Sequence, residues 1–195
     1  MLRRLISPVD RTIDADARLD RTTDGTGLIG EQNWTGQIEH LRTTALPIQP
    51  IPLFEDVIDL LMQVSPSSVG RARPKLTNLL STSQPENAHV VFNIDIKTTS
   101  RPALLFPAMA AILAARPTIL PRLVLGLWHP SFILPSYQHL PRSIQRFHIG
   151  ASIPFAREWW PYVDGFSLLF DCLVDAEGRR FREDCKRAGK KLGVW

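Results

Sequence analysis

Residues 90–97 read VVFNIDIK. The side chains alternate as a β-strand requires, with Phe92, Ile94 and Ile96 on one face and Asn93, Asp95 and Lys97 on the other. A free-standing antiparallel strand with its polar face in water shows the same pattern. The flanks favour a different setting, because helix and strand signals alternate from here to the last residue. In a parallel strand of an α/β barrel, the apolar face turns outward to the helices. Asn93, Asp95 and Lys97 then point into the lumen near the strand's carboxyl end, where barrel enzymes keep their chemistry. A carboxylate and an ammonium two residues apart suit a site for a cation and a phosphate. The plainer alternative is a surface Asp–Lys pair, worth at most about 1 kcal/mol.

Downstream, the patterning predicts a helix over 103–115, a strand over 123–128, a Pro-interrupted helical piece near 131–140 and a strand over 144–149. A short helix over 154–160, a strand over 163–170, a charged helix near 178–188 and a strand start at 192–195 follow. Strands separated by helical segments predict parallel βαβ units. Alternation alone leaves barrel and open sheet both standing. Upstream, residues 46–52 (LPIQPIP) are extended by their prolines, and Pro52 is expected to start a helix with Glu55 and Asp56 in its first turn. Phe54, Val57, Ile58 and Leu61 form its apolar stripe. Residues 16–30 contain G-x-G-x-x-G at Gly25, Gly27 and Gly30, but RTTD precedes it and EQNWTGQ follows. A dinucleotide site needs an apolar strand before those glycines and a helix after them, so this segment is read as a loop.

At 195 residues the chain has room for one domain with a real core. Hydrophobic residues at 44% and charged residues at 22% place it among ordinary soluble globular proteins. Cys172 and Cys185 fit neither a disulfide framework nor a zinc site, so free thiols in a reducing, cytoplasmic setting are expected. No segment is long and apolar enough to span a membrane, since 102–115 is too short and 123–141 is broken by three prolines and two histidines. The start, MLRRLISPVDRTID, is weakly basic, but two aspartates argue against a transit peptide. The net charge of +4 invites a polyanion partner. However, residues 64–84 supply +3 and residues 1–15 supply +1, which leaves the remainder neutral and argues against nucleic acid.

FNIDIK, together with LGLWHPSFILP (125–135), RFHIGASIPFARE (146–158), VDGFSLLF (163–170) and CKRAGKKLGVW (185–195), closely resembles the glycerophosphodiester phosphodiesterase family, nearest to its fungal phosphatidylglycerol phospholipase C branch. DARLDRTTDGTG and IPLFEDVIDLL upstream fit the same family. The resemblance implies a (β/α)8 barrel that hydrolyses glycerophosphodiesters or phosphatidylglycerol with a divalent cation, calcium or magnesium. It further implies two histidines as acid and base, one in a His-Arg-Gly motif on the first strand and one in a His-Asp motif. The resemblance also implies that two second-strand carboxylates and one from the fourth strand hold the metal. Such a cation neutralises phosphoryl oxygens while the histidines move protons at neutral pH.

By position, Asp95 matches the fourth-strand metal carboxylate and Lys97 the lysine that faces the phosphate. Asp16 matches the Asp of His-Asp, but Ala15 stands where the catalytic histidine is expected. Nothing here matches His-Arg-Gly or the second-strand carboxylates. Trp128, His129 and Trp195 match positions near the pocket mouth, and His129 equally suits a plain strand-end residue before Pro130. Phe132, Trp159 and Trp160 are expected in the core rather than at a lipid surface. His40, His89, His139 and His148 have no motif support and are read as structural or exposed.

The expectation is therefore a single, incomplete barrel domain over 1–195, with the first strands missing and the last cut short. Residues 64–84, rich in Ser, Pro and Arg, stand where a short loop is usual. They read as an insert or a translated intron, because Gln63-Val64-Ser65 and Ser83-Gln84 can be encoded as donor and acceptor junctions. Residues 1–15 read as a non-native start on the same grounds, a matter for transcript sequencing. Peripheral contact with a membrane is compatible with a lipid substrate. The rival reading is a catalytically dead protein that binds phospholipid headgroups or a partner.

Overall fold

The computed structural model describes residues 23–27, 33–62, 91–98 and 100–195. Residues 1–15, Asp16, Gly30, His89 and the 64–84 insert lie outside them. The described residues fall into two compact units, one of residues 23–27, 33–62 and 100–119, the other of 91–98 and 120–195. Among the described residues no helix is long and apolar enough to cross a membrane.

The first unit holds α1 (Phe54–Met62) and α2 (Pro102–Ala114). Helix α1 starts two residues later than Pro52 predicts, because the Asp56 carboxylate accepts the Leu53 N–H at 3.1 Å and closes the first turn from inside. Of its apolar stripe, Ile58 and Leu61 are fully buried. Helix α2 is apolar on nearly every side and buries Phe106, Met109, Ile112 and Leu113. Asp59 of α1 pairs with Arg116, just past α2, at 2.5 Å, and Arg116 also donates to the Ile112 carbonyl. Thr23 pairs with Thr43 in an isolated bridge, so the described part of the glycine segment lies in a loop.

The second unit holds β1 (Phe92–Ile96), β2 (Leu123–Leu127), β3 (Gln145–Gly150), β4 (Gly165–Leu168) and β5 (Lys191–Val194). Its helices are α3 (Ile133–His139), α4 (Ile153–Glu158) and α5 (Ala176–Arg187). All five strands are parallel and lie in the order β1-β2-β3-β4-β5. Parallel crossovers are right-handed, so in this unbroken consecutive order the β2–β3, β3–β4 and β4–β5 connections wind onto one face. A doubly wound sheet would instead reverse its order at a switch point. The chain is thus α/β with the winding of a (β/α) barrel, of which five strands are described.

Pairing register separates two faces. Phe92, Ile94 and Ile96 align with Leu123, Leu125 and Leu127, then with Arg146, His148, Phe166 and Leu168. Helices cover this face, since Phe166 meets Trp160 and Phe181, and His148 stacks on Trp159 at 4.3 Å. Phe132 and Trp159 are buried, as core packing predicts. The opposite face carries Asn93, Asp95, Gly126, Phe147, Ile149, Gly165, Ser167 and Gly193. Its glycines admit close neighbours. A Cβ on Gly165 would sit 2.6 Å from the Lys191 carbonyl oxygen and 2.7 Å from the Phe147 ring.

Element ends differ from the patterning for local reasons. Strand β4 is shorter than residues 163–170, because the Val163 carbonyl accepts Lys190 Nζ at 2.6 Å and the Asp164 carboxylate accepts the Arg146 N–H at 2.8 Å. Helix α5 begins before Gly178, since Asp175 caps it by accepting the Gly178 N–H at 2.7 Å.

Candidate functional site at the carboxyl ends of the strands

Period-2 alternation in β1 places Asp95 on the glycine-lined face at the strand's carboxyl end, and Lys97 follows it on the same side. Lys97 Nζ pairs with Asp95 Oδ2 at 2.8 Å, the two side chains being 39% and 41% exposed. They sit at a wet rim, neither sealed inside nor standing free in solvent. Trp128, the residue after β2, donates from Nε1 to Asp95 Oδ1 at 2.6 Å. The Lys97 ammonium also lies 4.7 Å from the centre of the Trp128 ring, a separation at which the ring's negative face attracts a cation.

Trp195, the residue after β5, meets Trp128 at 5.7 Å between ring centres. Strands β2 and β5 are three spacings apart, about 14 Å on a flat sheet. The two long indole side chains reach toward each other across that gap. Trp195 is anchored by its indole N–H, which donates to the Ser167 carbonyl at 3.3 Å, and by its backbone, which pairs with Leu168 and Phe170. Asp95, Lys97, Trp128 and Trp195 therefore form one contiguous group.

His129 is oriented differently. Its Nδ1 accepts the Ser131 N–H at 3.2 Å and lies 2.9 Å from Ser131 Oγ, which caps the turn Pro130–Phe132. The strand-end role is thus occupied, and the ring packs edge-on against Phe132. His148 is fully buried on the helix-covered face among Phe155, Trp159 and Phe166. Burial pulls its pKa down to about 4, outweighing an opposing effect from the Leu127 backbone, so it stays neutral and structural. Cys172 and Cys185 are both free, and burial lifts the Cys185 thiol to about 11.

The described residues do not by themselves fit a divalent cation. No group of three or more His, Cys, Asp or Glu side chains gathers at one point among them. Asp95 is already matched by the Lys97 ammonium and the Trp128 N–H. A hard cation takes six or more oxygen ligands, and one carboxylate with an ammonium beside it is a poor start. What the group offers is an ammonium with donors left over after the Asp95 contact, beside the Trp128 ring, which in turn meets Trp195.

Two features escape sequence reading. Ser167 joins the rim face through β4 register and the anchoring of Trp195. Arg146 is wholly buried and donates to the carbonyls of Ser136, Leu140, Pro141 and Ile144, pinning the α3–β3 turn. Its alternation with His148 marks an inward position, but the carbonyls that satisfy it have no sequence signature.

No protein-family model matches this chain, and no curated protein matches it. Among solved structures it is similar to a glycerophosphoryl diester phosphodiesterase from Parabacteroides distasonis ATCC 8503, at a TM-score of 0.37 and 15% sequence identity over 94% of this chain. The chain covers 66% of that structure's chain, slightly under two thirds of its length.

Proposed function

We propose that the rim of Asp95, Lys97, Trp128 and Trp195 binds the phosphodiester headgroup of a glycerophosphodiester or phosphatidylglycerol, in a fold of phosphodiesterase type. The observation that carries this reading is the Lys97 ammonium at the carboxyl end of a parallel strand, on the glycine-lined face, with its spare donors open to solvent. Ammonium donors take a phosphate as a charge-assisted partner. Trp128 and Trp195 supply apolar walls for the glycerol, and the Trp128 N–H holds the Asp95 carboxylate in place. His129 contributes by closing the turn behind Trp128 rather than by touching substrate.

The parent chemistry of such a fold is hydrolysis of the diester by a phosphoric diester hydrolase of the phospholipase C type, and calcium or magnesium is the cofactor the resemblance implies. This chain has neither the His-Arg-Gly motif nor a histidine before Asp16. General acid–base catalysis is worth about a hundredfold to ten-thousandfold, so we expect headgroup binding with little or no turnover. The test combines a phosphatidylglycerol hydrolysis assay, with calcium or magnesium, and calorimetric titration with glycerophosphoglycerol. We expect saturable binding, weakened about tenfold to a hundredfold by Lys97→Gln through loss of a charge-assisted bond, and no turnover above background. Robust metal-dependent hydrolysis overturns the inactivity. Absence of binding overturns the site.

A further inference from the structure

We propose that the outer face of α5, together with the exposed apolar residues at its amino end, docks on an anionic phospholipid bilayer. Residues 176–191 carry seven Lys and Arg against three Asp and Glu. Helix α5 buries Gly178, Phe181 and Cys185 along one side. Arg179, Arg182, Glu183 and Lys186 line a shallow groove on its outer side, all four exposed and spaced three, one and three residues apart. One of the three acids is already spent, because Asp184 is held by both Arg157 and Arg187. Among the described residues, Arg182 and Lys186 make no ion pair.

A basic stripe alone suits any polyanion; the apolar residues beside it narrow the choice. Phe170 and Val174, flanking the turn that leads into α5, are 58% and 47% exposed, and Trp195 is 51% exposed. They are continuous with the stripe. Arg179 Nη1 donates to the Val174 carbonyl at 3.1 Å, and the Phe170 N–H donates to the Trp195 carbonyl at 3.1 Å. A row of cations that ends in bare aromatic and aliphatic side chains matches an interface with an anionic surface over an apolar interior. The charge complementarity chooses anionic over zwitterionic lipid. The apolar end chooses a bilayer over nucleic acid or an acidic protein. The inference does not depend on the headgroup reading, because the lipid that tests it need not be a substrate.

The experiment is flotation of the 195-residue chain with phosphatidylcholine vesicles, with and without phosphatidylserine, at low and high salt. The chain is expected to float with phosphatidylserine vesicles only, and less so in high salt. Each basic residue near such a surface is worth about fivefold in partitioning. The triple variant Arg179→Glu, Arg182→Glu, Lys186→Glu should therefore lose about a hundredfold or more. The charge-retaining variant Arg179→Lys, Arg182→Lys, Lys186→Arg should still float, and Phe170→Ser with Val174→Ser should weaken flotation while leaving the salt dependence. Circular dichroism melts confirm that each variant folds. Equal flotation with phosphatidylcholine alone, undiminished flotation of the charge-reversed triple, or loss of vesicle binding to a competing oligonucleotide at equal phosphate would overturn the proposal.

Discussion

His148 shows how one side chain ties stability to pH. Its ring is fully buried between Trp159 and Phe155, and burial holds its pKa at about 4 rather than the ordinary 6.5. The folded state therefore binds its proton more weakly than the unfolded chain does. This contribution is fully present above about pH 6.5 and is lost as the pH falls toward 4. Between about pH 7.5 and pH 5 the loss amounts to roughly 2 kcal/mol. Urea denaturation across that range should show the loss in the native chain. His148→Phe, which keeps an aromatic ring against Trp159, should remove most of it. An unchanged pH dependence in that variant would show that His148 is not the group responsible. The same scale explains what sequence alone made visible. Asp95 and Lys97 stood out because period-2 alternation forces them onto the polar face of β1. Trp128 and Trp195 came from a positional resemblance, since their meeting joins residues after strands three spacings apart. Alternation put Arg146 on the same face as His148, but the backbone carbonyls that satisfy it gave no sign.

At the scale of elements, the parallel order was legible because every strand is followed by a helical period before the next apolar run. Strand and helix ends were less so. Lys190 and Asp164 delay the start of β4 through bonds between residues distant in sequence, and the Asp175 cap that starts α5 before Gly178 was not read from the pattern. Close packing on the glycine-lined face depends on glycine at defined points. A methyl at Gly165 meets the Lys191 carbonyl oxygen at 2.6 Å, so backbone would have to move; at Gly193 the nearest atom is 3.6 Å away. Gly165→Ala should therefore destabilise the chain by about 1–3 kcal/mol. Gly193→Ala should change stability by less than about 0.5 kcal/mol. Chemical denaturation of the two variants measures the contrast, and equal effects would show that strand crowding does not depend on Gly165.

On the scale of the whole molecule, the parallel sheet carries a charged and aromatic rim at its carboxyl edge. Side chains from β1, β2 and β5 meet there although 100 positions separate Asp95 from Trp195. That convergence is what makes the rim a site rather than an isolated ion pair, and headgroup binding is its proposed use. The indole N–H resonances of Trp128 and Trp195 report on it directly, because one is bonded to Asp95 and the other to Ser167. Titrating the isotope-labelled chain with glycerophosphoglycerol should shift both indole signals along one saturating curve, and Lys97→Gln should move that curve to higher ligand concentration. Indole signals that stay fixed throughout the titration, or shift identically in Lys97→Gln, would contradict the account.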